Sequence, residues 1–292
     1  METFIQQTQW VVDNQDKYNI KYVMHVGDVV EFGNDNNMWR NSKKAISILD
    51  ENNIPYIIAV GNHDYDAKNI PINRSITAFN YFYGEKVKNN NQRSYTHEFV
   101  VNNQNYLIIS LEYCPIELDW LIKTLDNNKD KKIFFISHSW YDLNVFQTNS
   151  CEIGAEIGGH SANEINEVLK RYDNIIFAAG GHFTDRGVYG THMDKHLNIF
   201  INFQNYDLAG NIVLRQYNNI IFGAGGVSYN HSIHGNKLDK RLNIFFNLEN
   251  KDFFGNITGF HFDSGYLGLV KIKDNEVDEI IIYSPRLDKY YD

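Results

Sequence analysis

Amphipathic stretches and short apolar runs alternate along the first two thirds of the chain. Apolar residues recur at helical spacing in residues 3–14 and 37–52, and shorter helices are predicted near 118–125 and 161–172. Runs of four or five apolar residues lie between them, and runs of that length are typical of buried strands. These predicted strands cover residues 22–26, 56–60, 133–136 and 175–179.

The remaining pattern is mostly that of β-structure. Residues 94–101 and 105–111 alternate as a β-pair, and the C-terminal half is rich in short β-type runs that end with residues 279–283. Strands that alternate with helices, followed by a β-rich half, predict an α/β sandwich.

Four of the predicted strands end in polar residues. The motifs are Gly27-Asp28, Gly61-Asn62-His63-Asp64, Ser137-His138 and Gly181-His182. In an α/β sheet, the ends of such strands converge on one edge, where these proteins place their chemistry. Each motif taken alone also has a plainer interpretation, as a polar turn or as a histidine that is hydrogen-bonded at a strand end.

Aspartate, asparagine and two histidines form a mixed set of oxygen and nitrogen ligands. This set suits Mn, Fe or Zn better than Ca. Hydrolysis of a phosphoester needs a Lewis acid on its oxygens, an activated water and a proton for the leaving group. His63, next to the candidate ligand Asn62, could supply that proton.

The ordered motifs resemble those of the calcineurin-like metallophosphoesterases. The resemblance covers nearly the whole chain and includes L-I-I-S-L-E-Y-C-P at residues 107–115 and Y-S-P-R-L-D-K-Y at 283–290. It implies one domain over residues 1–292, with two mixed β-sheets flanked by helices. The implied activity is metal-dependent hydrolysis of a phosphomonoester or phosphodiester, by a metal-activated hydroxide, on a small phosphorylated substrate.

The resemblance also implies a role for each matching residue. Asp28 would bridge two metals, and Asn62, His138 and His182 would complete the second metal site. His63 would be the general acid, with Asp64 assisting it.

Some features of the family are not found. The family begins with a strand that carries Asp-x-His, and this sequence starts at the helix that follows it, so we expect an N-terminal truncation that leaves a gap or edge in the sheet. Thr184 stands where the family has a final histidine. All the missing ligands belong to the first metal, so one or two ions per chain remain open. The alternative function is a catalytically impaired or inactive module that binds metal or phosphate ligands.

An internal repeat relates residues 172–211 to residues 217–256. Y-D-N-I-I-F-A-A-G-G-H corresponds to Y-N-N-I-I-F-G-A-G-G-V, which places Val227 where the first copy has His182. Two copies are too few for a solenoid, so a segmental duplication is predicted.

Other residues are weaker candidates for the site. Arg186 could meet a substrate phosphate, although a surface arginine is the plainer interpretation. His25 is expected to pack beside its strand. His231 and His234 could replace a lost ligand, although loop histidines are usually solvated.

Charge and cysteine content narrow the function classes. The net charge of −9 makes a nucleic acid an unlikely partner on electrostatic grounds. No run is long and apolar enough to cross a membrane, and the N-terminus has no signal-peptide pattern. With two cysteines, Cys114 and Cys151, a disulfide framework is not expected. These features together predict a cytoplasmic location.

Overall fold

A computed structural model describes residues 2–66, 75–112, 116–138, 162–183, 205–206, 212–213, 218–223, 267–285 and 288–291. In these ranges the predicted helices and strands are present, with small differences at their ends. Among the described helices, none is both long and apolar enough to cross a membrane.

The N-terminal part builds a parallel strand pair covered by helices. Its elements in chain order are α1 (Glu2–Asp13), α2 (Gln15–Tyr18), β1 (Val23–His25), α3 (Asn36–Glu51) and β2 (Tyr56–Ile58). Strands β1 and β2 pair in parallel, with Met24 opposite Ile57. Helix α3 begins where the Asp35 carboxylate accepts the backbone N–H of Asn37, and its buried face packs near α1.

Residues 77–87 form a helical segment that the apolar pattern did not predict. It consists of α4 (Thr77–Phe79), a π-turn (Asn80–Gly84) and α5 (Glu85–Val87). Its aromatic rings surround the fully buried Trp39 of α3, with Phe79 and Tyr83 at T-shaped angles to that indole. Aromatic packing of this kind stabilises a helix whose own sequence is poor in strong helix formers.

A five-stranded mixed sheet forms the other main layer. Its members are β3 (Tyr95–Val101), β4 (Gln104–Leu111), β5 (Lys132–Ser137), β6 (Ile175–Phe183) and β9 (Asn218–Gly223). Strands β3 and β4 form an antiparallel hairpin, whereas the other neighbours are parallel. Helix α6 (Leu118–Asp126) lies in the connection from β4 to β5, and helix α7 (Ala162–Leu169) lies in the connection from β5 to β6.

The C-terminal strands form separate small sheets. Strands β7 (Asn205–Tyr206) and β8 (Ile212–Val213) pair with each other, and β10 (Leu267–Lys273), β11 (Glu276–Ser284) and β12 (Lys289–Tyr291) form an antiparallel sheet. Trp10 of α1 packs 5.0 Å from the ring of Tyr283, between ring centroids. In the part of the chain that is described, β1 pairs with β2 in a two-stranded sheet.

The predicted repeat is only partly within the described residues. The first strands of its two copies correspond to β6 and β9, which lie side by side in parallel. Most of the second copy, including Val227, His231 and His234, lies outside the described residues. The duplication and the single-domain boundary therefore stay predictions.

Candidate metal centre

The strand ends of β1 and β2 bring two of the predicted motifs side by side. Because the two strands are parallel, the Gly27-Asp28 turn and the Gly61–Asp64 turn leave the sheet at the same edge. Residues 62–64 form a single 3-10 turn. His138 follows β5 and reaches the same cluster from the neighbouring sheet.

Asp28 has an unusual backbone conformation. Its φ is +54° and that of Gly27 is +99°. Residues other than glycine rarely adopt positive φ values. A Cβ at Gly27 would lie 2.6 Å from Nδ1 of His138. The turn therefore needs glycine at position 27, and the strained residue is the one that bears the candidate ligand.

Gly61 allows the two turns to touch. A Cβ at this position would lie 2.1 Å from Oδ1 of Asp28 and 2.3 Å from its backbone nitrogen. No larger side chain fits without moving Asp28, because contacts this short lie far inside van der Waals distance. The glycine before Asn62 is thus set by close packing of the two turns.

Two candidate ligand oxygens lie close to one imidazole nitrogen. Nε2 of His138 lies 3.1 Å from Oδ2 of Asp28 and 3.0 Å from Oδ1 of Asn62. Nδ1 of His138 is hydrogen-bonded to the backbone carbonyl of Val26 at 2.8 Å, so it carries a proton and donates it. Such a backing bond fixes the ring and leaves Nε2 to face the oxygens.

This donor set fits a divalent cation. Two atoms that are each about 2.1 Å from one ion lie about 3.0 Å apart when they subtend a right angle at it, which is close to the observed separations. Asp28, Asn62 and His138 offer two oxygens and one nitrogen. The third member of this set is the amide of Asn62, and among the described residues no group of three His, Cys, Asp or Glu side chains is placed to hold a metal ion.

Asp64 holds the two turns together. Its side chain is 0% exposed, and it accepts hydrogen bonds from the backbone N–H groups of Val29 at 2.8 Å, Val30 at 3.2 Å and Gly61 at 2.8 Å. Its carboxylate therefore joins the Asp28 turn to the Asn62 turn. Sequence reasoning placed Asp64 at the site but could not foresee these backbone partners.

His63 is held from the other side by Glu31, a residue that the sequence analysis did not single out. Nδ1 of His63 donates to the backbone carbonyl of Glu31 at 2.7 Å, and Oε1 of Glu31 lies 3.6 Å from the same nitrogen. The backbone N–H of His63 donates to Oδ1 of Asp28 at 2.9 Å. The feature of the sequence that could have identified Glu31 is its position three residues after Asp28.

The charged groups in this cluster shift one another's pKa values. Burial raises the pKa of Asp28, but the neighbouring His138 and His63 outweigh it and lower that pKa to about 2. Burial opposes a positive His138, yet the Asp28 carboxylate beside it raises the pKa of that histidine above its usual value. Burial, together with the charge of Asp28, raises the pKa of Asp64 to about 7.

His25 lies near the cluster without offering it a ligand. Nδ1 of His25 accepts the backbone N–H of Gly27 at 3.2 Å, so the neutral ring carries its proton on the other nitrogen. Burial lowers the pKa of His25 to about 4, with Asp28 acting in the opposite direction. The expectation that His25 packs beside its strand agrees with this arrangement.

The remaining predicted residues lie partly or wholly outside the described residues. The backbone of His182 is in the last part of β6, whose Gly180 is in register with Ser137 of β5. That end of β6 therefore reaches the same edge as His138, but the side chain of His182 is not described. Thr184 and Arg186 lie outside the described residues.

The comparisons with known proteins identify the family of the chain. The profile of the calcineurin-like phosphoesterase family matches residues 2–185. The chain belongs to this family, whose fold is an α/β arrangement of mixed sheets flanked by helices and whose general reaction is metal-dependent hydrolysis of phosphoesters.

Two individual proteins are similar to the chain. The uncharacterized protein YvnB of Bacillus subtilis (strain 168) is 30% identical over 193 residues, which is 62% of this chain and 14% of that protein. The chain thus corresponds to a small part of that relative. A dimetal phosphatase from Danio rerio has a TM-score of 0.43 and 12% identity, over 75% of this chain and 77% of that one.

We expect Gly61→Ala to weaken Mn²⁺ binding by about 10- to 100-fold, because the new Cβ displaces the carboxylate of Asp28. The matched control is Gly84→Ala in the helical segment, where the nearest atom to a new Cβ is 3.3 Å away. Isothermal titration with Mn²⁺ checks both variants. Unchanged affinity in folded Gly61→Ala would show that the close packing of the two turns is not needed for the ion.

Proposed function

We propose that this chain hydrolyses small phosphomonoesters or phosphodiesters at the cluster of Asp28, Asn62 and His138, with His63 as the proton donor. The observation that carries the proposal is the approach of two oxygens to within 3.1 Å of Nε2 of His138, beside an imidazole fixed by Glu31. Membership of the phosphoesterase family supports the reaction class.

Asp28, Asn62 and His138 would hold a divalent ion, with Mn, Fe or Zn favoured by the mixed ligand set. When bound, the ion supplies Lewis acidity to a phosphoester oxygen and lowers the pKa of a water molecule. The chain holds these three side chains in place through the hydrogen bond from His138 to Val26 and through the close packing at Gly27 and Gly61. His182 and Arg186 remain proposed as a further ligand and a phosphate contact.

His63 is proposed to protonate the leaving oxygen. Its Nδ1 is engaged by Glu31, so the proton to be donated is the one on Nε2. The Glu31 carboxylate lies 3.6 Å from the same Nδ1, on the side of the ring away from the proton to be donated. General acids of this kind act best on alcohols that leave poorly without a proton.

Asp64 is proposed to position the site and not to take part in the proton transfer. Both of its oxygens accept backbone N–H groups, from Val29 and Val30 on one oxygen and from Gly61 on the other. The described partner of the His63 ring is Glu31. We therefore assign the assisting role to Glu31 in place of Asp64.

The first test is Mn²⁺-dependent hydrolysis of p-nitrophenyl phosphate and of its bis-ester. We expect turnover that requires Mn²⁺ and that Asp28→Ala lowers by about 100-fold or more, because the lost carboxylate is both a ligand and the partner of His138. Gly84→Ala is the control, because the nearest atoms to its new Cβ belong to Asn80 and Asn89 and to none of the proposed site residues.

The outcomes separate the two functions that the sequence left open. Turnover that persists in folded Asp28→Ala would contradict the site. Mn²⁺ binding without turnover on any ester would instead favour the catalytically impaired binding module.

We expect His63→Gln to lower turnover more on an ester with a poor leaving group than on an ester with a good one. The loss should be about 100-fold for an alkyl phosphate, which needs a proton on its leaving oxygen, and much smaller for p-nitrophenyl phosphate, whose phenolate leaves readily. Mn²⁺ affinity, measured in parallel, should be unchanged because no ring atom of His63 is among the proposed ligands. Equal losses on both esters would assign His63 a role other than general acid.

Mn²⁺ affinity should fall as the pH is lowered. The ion must replace the proton on Nε2 of His138, whose pKa the Asp28 carboxylate raises, so affinity drops about tenfold per pH unit below that pKa. A series of Mn²⁺ titrations that begins near the ordinary histidine pKa of about 6.5 and extends above it follows the change. His138→Gln should bind more weakly and lose this slope, and a slope that survives in the variant would point to another group.

A further inference from the structure

Three large apolar side chains in the described part of the chain are exposed. They are Phe32 at 40%, Val100 at 64% and Tyr81 at 83%. Exposure alone does not single out Phe32, because isolated exposed apolar residues are common on protein surfaces. What distinguishes Phe32 is its place beside the His63 turn.

The two neighbours of Phe32 both contact the segment that contains His63. The backbone carbonyl of Glu31 accepts a hydrogen bond from Nδ1 of His63 at 2.7 Å. Gly33 packs so closely on the same segment that a Cβ there would lie 2.0 Å from the carbonyl oxygen of Tyr65 and 2.9 Å from that of His63. Phe32 therefore lies within a few ångströms of the His63 turn.

The backbone around Phe32 is fixed on both sides. Before it, the N–H groups of Val29 and Val30 donate to Asp64. After it, the backbone carbonyl of Phe32 accepts the N–H of Asp35 at 2.9 Å, and the buried indole N–H of Trp39 donates to the carbonyl of Gly33 at 2.7 Å. These bonds fix the backbone from which the Phe32 side chain extends, so little backbone freedom is lost when a ligand contacts the ring.

We propose that Phe32 binds an apolar, preferably aromatic, group carried on the leaving oxygen of the substrate. This inference rests on the proposed function, because it takes His63 as the donor to that oxygen. The group attached to the leaving oxygen then begins next to His63 and extends over the surface that Phe32 provides. The favoured substrate class is a phosphate ester of an aryl or arylalkyl alcohol.

The test compares benzyl phosphate with ethyl phosphate, two esters whose alcohols have similar acidity. We expect the wild-type chain with Mn²⁺ to have a higher kcat/KM on the benzyl ester. Phe32→Ala should lower that value about tenfold, as for the loss of one well-packed aromatic contact, and leave the ethyl ester nearly unchanged. Phe32→Tyr should keep the preference, and Tyr81→Ala is the exposed-aromatic control.

Binding measurements separate this inference from the proposed function. Benzylphosphonate and ethylphosphonate, titrated into the Mn²⁺-loaded protein, report the apolar contact without any turnover. A benzyl preference that disappears in Phe32→Ala supports the inference even if neither ester is hydrolysed. Equal values for the benzyl and ethyl compounds in the wild type, or an unchanged preference in folded Phe32→Ala, would overturn it, as would binding of neither phosphonate.

Discussion

The site depends on one buried carboxylate that joins two turns. Asp64 has no exposed surface and accepts three backbone N–H groups, two from the turn after β1 and one from the turn after β2. Without it these donors would be buried and unsatisfied, at a cost of about 1–3 kcal/mol each. The same bonds hold Asp28 and Gly61 in contact, so the position of the ligand carboxylate is a consequence of the packing that Asp64 imposes.

That arrangement brings charges together that would not otherwise be stable. Asp28 and Asp64 raise the free energy of one another's ionised forms, and His138 offsets this for Asp28 by supplying a proton at Nε2. The Asp28 carboxylate and the His138 imidazole are therefore in close contact, with Nε2 of His138 3.1 Å from Oδ2 of Asp28. A divalent cation held by Asp28, Asn62 and His138 would bring two positive charges to this position and would reduce the repulsion between the two aspartates. The electrostatics of the turns thus favour a cation there.

Much of the site could be predicted from sequence, and the reason is topological. Asp28, Asn62 and His138 each follow an apolar strand, and the ends of parallel strands must meet. Glu31 and Gly33 could not be identified in this way, because their roles depend on how a short loop folds back on His63. The helical segment at 77–87 was missed because its stability comes from packing around Trp39 and not from its own pattern. The backbone N–H groups that bind Asp64 could not be predicted from the types of the residues that carry them.

The number of ions changes which residues matter most. The ligands that we propose among the described residues would serve a single ion, since one oxygen of Asp28 lies against His138 and the other accepts the backbone N–H of His63. With a second ion, the leaving oxygen could be stabilised by a Lewis acid. With one, that negative charge would have to be neutralised by a proton, and His63 is the donor that we propose. A single-ion site would therefore rely on His63 and its partner Glu31 more heavily than a two-ion site does. The extent to which turnover depends on His63 is therefore linked to the number of bound ions.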